Sequence, residues 1–85
     1  MKVRYVGKNI GVDGLVNNRI YEVTGVDELT GYLFVIDESG EDYLYHPENP
    51  RPIASPDHPG GHFEIVEDDS NGTLNKVIHR KSTMQ

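Results

Sequence analysis

Three histidines stand close together late in the chain: His46, His58 and His62, with Asp57 beside the second. Imidazole nitrogens bind zinc and nickel well, and the run His58-Pro-Gly-Gly-His62 would let two of them clasp one ion if the loop folded back. On a helix that spacing stacks two side chains on one face, but Pro59, Gly60 and Gly61 forbid a helix here. The competing expectation is a solvated polar loop that holds no metal and no cofactor. A second cluster, Asp37, Glu38, Glu41 and Asp42, has enough carboxylates for paired acid–base chemistry. It falls on a predicted hairpin tip, where nothing is expected to bury one carboxyl and leave its neighbour charged. It also lacks the ligand spacing of a calcium-binding helix–loop–helix. Ser39, Ser55 and Ser70 fall in turns, without the strand–turn–helix setting of an activated serine. With no cysteine, a thiolate metal site, a cysteine nucleophile and a disulfide framework are all excluded. The expectation is a protein that is not an enzyme.

Side chains suited to contact rather than chemistry are more numerous. Tyr21, Tyr32, Tyr43 and Tyr45, with His62, are the candidate binding residues, able to line a groove for a protein partner. Against this, tyrosines in strands often pack half in the core and half at its rim. Pro47-Glu-Asn-Pro50 and Pro56-Asp-His-Pro59 have the spacing read by proline-binding modules, so this segment is either a ligand itself or a stiffened connector.

Charge narrows the partners. The net charge is −6 and is unevenly placed. Residues 1–19 carry Lys2, Arg4, Lys8 and Arg19 against Asp13 alone, residues 20–69 carry thirteen acids against Arg51 alone, and residues 70–85 carry Lys76, Arg80 and Lys81 with no acid. An acidic middle repels phosphate backbones. Single-stranded nucleic-acid binding through a patch built from both basic ends is the alternative to protein binding. No run approaches the roughly 20 apolar residues of a membrane span, and the first strand carries charges where a signal peptide would be apolar. A cytoplasmic protein with no membrane association is expected.

The positioning elements are short strands. Gly31 to His46 reads as two apolar, β-favouring runs around the turn cluster Asp37 to Asp42, with its glycine at Gly40: a hairpin. Residues 2–6 alternate, with Val3 and Tyr5 inward. Residues 7–18 read as a long glycine-rich loop with little secondary structure of its own. Residues 19–26 form a strand in which Gly25 marks a bulge or sharp bend. Residues 47–61 read as an exposed, proline-rich loop, and 62–67 return to strand with Phe63 and Ile65 on one face. Leu74, Val77 and Ile78 form a helical stripe, though a strand or a flexible tail is also open; alone in water it is too short to hold.

Eighty-five residues make one domain with a small core. Five strands in under 70 residues are too few for an immunoglobulin sandwich and suit a partly open all-β barrel, 1–69, followed by a basic tail, 70–85. The string Ile20-Tyr21-Glu22-Val23, then Asp37-Glu38-Ser39-Gly40-Glu41-Asp42-Tyr43-Leu44-Tyr45, then Phe63-Glu64-Ile65-Val66 resembles small Src-homology-3-like (SH3-like) barrel proteins of Gram-positive bacteria and their phages, a mostly uncharacterised group. The resemblance implies an SH3-like fold over residues 2–67, with 7–18 as its first large loop. It departs from the short pattern at the proline-rich segment and the tail. The function expected is a non-catalytic interaction module that binds a protein partner or itself as a homo-oligomer.

Overall fold

The computed structural model describes residues 1–51 and 57–79. Pro52, Ser55 and Pro56 of the proline-rich segment, and Arg80 and Lys81 of the basic tail, lie outside the described residues. The elements are β1 (Lys2–Gly7), β2 (Ile20–Val26), β3 (Leu33–Ile36), β4 (Asp42–Tyr45), β5 (Gly61–Glu67) and α1 (Thr73–Ile78). The five strands form one antiparallel sheet in the order β4-β3-β2-β1-β5. β4 and β5 are its terminal strands, so the sheet is not closed.

Alternation sets its two faces. Val3 and Tyr5 of β1, Tyr21 and Val23 of β2, Leu33 and Val35 of β3, Tyr45 of β4 and Phe63 of β5 point into the core. The ring of Phe63 meets that of Tyr5 edge-on, with centroids 6.1 Å apart. Gly25 sits at the expected bulge, where the β2–β3 register shifts between Val23 and Gly25. β1 and β5 close tightly at their far end: a Cβ on Gly7, whose φ is +150°, would lie 2.6 Å from Gly61 Cα. The Tyr5 hydroxyl donates to Lys8 O beneath this contact.

Two segments depart from their expected character. The loop after β1 is not structureless, since Ile10 and Leu15 exchange backbone hydrogen bonds of 2.8 and 3.2 Å and both enter the core. Their glycine- and asparagine-rich surroundings masked two apolar anchors. The start of the proline-rich segment is not an exposed loop either: Pro47 and Pro50 are buried. The stripe at Leu74, Val77 and Ile78 is helical, with Leu74 and Ile78 in the core and Val77 packed against it. α1 has no side-chain cap at its own N-cap, Gly72. Instead Asp68 reaches forward to accept the N–H groups of Leu74 (2.8 Å) and Asn75 (3.0 Å), which would otherwise be orphaned.

Candidate functional site

The tyrosines named as contact residues do not share one groove. Tyr21 and Tyr45 are buried, Tyr32 is half-buried, and Tyr43 is 51% exposed. The Tyr45 hydroxyl donates to Asp37 Oδ2 at 2.6 Å, while Ser39 donates its N–H and its hydroxyl to Oδ1. Asp37 is therefore not at a solvated tip, as its place in an acidic turn implied; it is 8% exposed and has its donors supplied by the hairpin. The Tyr21 hydroxyl donates to Glu38 Oε2 at 2.6 Å and accepts the Val16 N–H at 2.8 Å. Glu38 also holds Arg19, at 3.2 Å, and its N–H donates to Gly14 O at 2.9 Å. Tyr21 and Glu38 thus staple the loop after β1 to the β3–β4 hairpin.

Titration behaviour follows from these contacts. Burial, then the Glu38 hydrogen bond, pushes the Tyr21 phenol up to about 12. Burial and the Asp37 bond push the Tyr45 phenol up further. The Tyr21 bond, aided by Arg19, holds Glu38 below the ordinary glutamate value. A phenol whose proton is held this firmly is poor general-acid material at neutral pH. The hydrogen bonds are those of a structural staple.

His46 and His58 serve the chain in the same way. His46 Nδ1 accepts the N–H groups of Glu48 (3.1 Å) and Asn49 (3.2 Å), and its ring lies against Tyr32 with centroids 5.1 Å apart. His58 Nδ1 accepts the Gly60 N–H at 2.8 Å, leaving its Nε2–H to donate to Asn9 O at 2.9 Å. His62 lies on the outward side of β5, 3.9 Å from Glu64. Among the described residues no group of three His, Cys, Asp or Glu side chains is placed to hold a metal.

In the basic N-terminal patch, Lys2, Arg4 and Arg19 lie beside acids. Lys2 is in register with Glu22 on one side and Glu67 on the other, Arg4 lies 3.7 Å from Glu64, and Arg19 is held by Glu38.

The most distinctive exposed surface is one the sequence reading passed over. On the outward face of β2–β3–β4, Ile20 is 48% and Leu44 is 44% exposed, with Phe34 and Ile36 half-buried between them. Phe34 is paired with Leu44, and Ile36 with Asp42 and Glu22. Asp42 accepts the Thr24 hydroxyl at 3.4 Å across β3. A signal for this face was present: β3 reads Leu-Phe-Val-Ile, a continuous apolar run, whereas a strand with one solvated face alternates. In comparisons with known proteins, the chain matches no family model, no curated protein and no solved structure.

Proposed function

We propose that this chain is a non-catalytic interaction module, a small partly open SH3-like barrel that binds a protein partner through the outward face of β2–β3–β4. The observation carrying this reading is the apolar patch of Ile20, Phe34, Ile36 and Leu44 on the solvent side of a sheet whose other side already supplies the core. The SH3-like reading is supported by the strand order and by the long loop joining β1 to β2, whose Ile10 and Leu15 enter the core. The candidate chemical groups weigh against an enzyme, because Asp37, Glu38, His46 and His58 are each engaged in shaping a turn or tethering a loop. Cations paired with acids on β1 weigh against nucleic-acid binding. No helix among the described residues is long and apolar enough to cross a membrane.

The test is affinity capture from a host lysate with wild type, with the pair Ile20→Ser/Leu44→Ser, and with the control pair Val12→Ser/Leu29→Ser. Val12 and Leu29 are 92% and 95% exposed at loop tips. Loss of the captured protein with the first pair alone is expected, with circular dichroism unchanged. Equal capture by all three proteins would reject the face as the binding surface.

A further inference from the structure

β4 combines three properties. It is a terminal strand, so among the described residues the backbone N–H and C=O groups on its outer side have no neighbouring strand. Three of its four residues, Asp42, Tyr43 and Leu44, are exposed. It also lies in the acidic half of the molecule: residues 20–49 contain eight acidic residues and neither lysine nor arginine. The opposite terminal strand differs, because α1 packs beside β5 and its outward row includes Glu64 facing Arg4.

From this we infer that β4 is a strand-addition site for a short, extended, cationic segment of a partner protein. The inference rests on the interaction-module reading and deepens it by naming the partner's chemistry and mode of binding. Backbone hydrogen bonds to the free edge would supply affinity, and side chains beside the strand would supply specificity. Asp42 and Leu44 point outward, whereas Tyr43 and Tyr45 lie on the inner side. A segment alongside β4 therefore meets a carboxylate at the Asp42 end and apolar surface at the Leu44 end. On the other side it meets the rim of Tyr43, whose hydroxyl is bonded to Glu41 at 3.2 Å. Two apolar residues adjoining two lysines or arginines satisfy both ends of such a strand.

A second copy of this chain fits poorly. β4 against β4 would bring Glu41 and Asp42 of both copies to one seam, adding like charges to two acidic halves. The carboxylate that discourages self-pairing is also the one that selects a cation.

The probe is the fluorescein-labelled hexapeptide Thr-Val-Val-Lys-Lys-Thr, read by fluorescence anisotropy against the full chain. Its controls are Thr-Val-Val-Glu-Glu-Thr and a lysine peptide N-methylated at alternate amides. The lysine peptide is expected to bind, to weaken as salt rises, and to lose about tenfold in affinity on N-methylation, since blocked amides cannot pair with an edge. Asp42→Lys is expected to cost a further factor of about ten relative to wild type. Equal binding of the N-methylated and unmodified peptides would overturn strand addition, as would binding unaffected by Asp42→Lys. If no peptide binds while Ile20→Ser/Leu44→Ser still abolishes capture, strand addition falls and the apolar face stands. If the lysine peptide binds as described while the face variants capture normally, the inference holds for β4 and the wider face is rejected.

Discussion

Replacing Tyr45 by phenylalanine removes one oxygen from the interior and nothing from the packing. That oxygen donates to Asp37 Oδ2 at 2.6 Å, and the carboxylate it serves is 8% exposed. Ser39 satisfies Oδ1 by two bonds and reaches no further, so Tyr45→Phe leaves Oδ2 without its hydroxyl donor. A hydrogen bond to a charged group contributes about 2 kcal/mol, and leaving a buried acceptor unsatisfied costs a similar amount. For a domain of this size that is a large fraction of total stability, equivalent to roughly 10 °C in Tm. Urea unfolding followed by circular dichroism should show the midpoint falling by about 1 M with unchanged slope. Tyr43→Phe is the internal control: Tyr43 is half exposed and, among the described residues, its hydroxyl meets only Glu41, so its stability should stay within about 0.5 kcal/mol of wild type. The cycle with Asp37→Ala should show coupling of at least about 1 kcal/mol between positions 37 and 45. A Tyr45→Phe protein as stable as wild type would refute the view that this pair is a structural staple, and would return Tyr45 to the candidates for partner contact.

Gly7→Ala should destabilise by more than about 2 kcal/mol in urea, because its Cβ would lie 2.6 Å from Gly61 Cα; Gly25→Ala, which meets nothing within 4 Å, should be neutral or slightly stabilising. Leu74→Ala should cost about 2–5 kcal/mol and release α1, read as loss of slow hydrogen exchange at Leu74 to Ile78. Asp27, Glu38, Asp68 and Asp69 are all held below their ordinary values, so their contribution is present above the unfolded carboxylate range and is lost as pH falls through the folded values. For Asp68 burial opposes this and the N–H groups of Leu74, Asn75 and Asp69 outweigh it, so Asp68→Asn should flatten the acid limb of a pH–stability curve. At the other extreme the raised Tyr21 phenol makes stability fall as pH climbs from 10.0, where an unfolded tyrosine ionises, toward about 12; Tyr21→Phe should reduce that slope.

What could be read from the sequence was local. Alternation placed Val3 and Tyr5 inward, Gly25 marked a bulge, and the spacing of Leu74, Val77 and Ile78 matched one helical face. Each depends on neighbours within a turn or a strand. What could not be read depended on partners far along the chain. Asp37 looked like a solvated turn residue because its burial comes from Tyr45, eight positions on and across the hairpin. His58 could be read only as a candidate ligand or a solvated loop residue, because the carbonyl it serves belongs to Asn9, 49 positions earlier. Ile10 and Leu15 lay hidden among turn residues because the core they enter is built from strands as distant as β3 and β5. Of the contact residues expected, Tyr43 keeps an exposed side chain beside the edge of β4, Tyr21 and Tyr45 are built into the core, and His62 lies on the outward side of β5.

The measurement that bears most directly on the outward face of β2–β3–β4 is an amide chemical-shift map of the ¹⁵N-labelled protein titrated with Thr-Val-Val-Lys-Lys-Thr. Shifts should concentrate at Asp42 to Tyr45 and extend to Phe34 and Ile36, their outward-facing register partners on β3. Shifts centred instead on Arg4, His62 and Glu64, or on α1, would place binding on another surface and contradict the account.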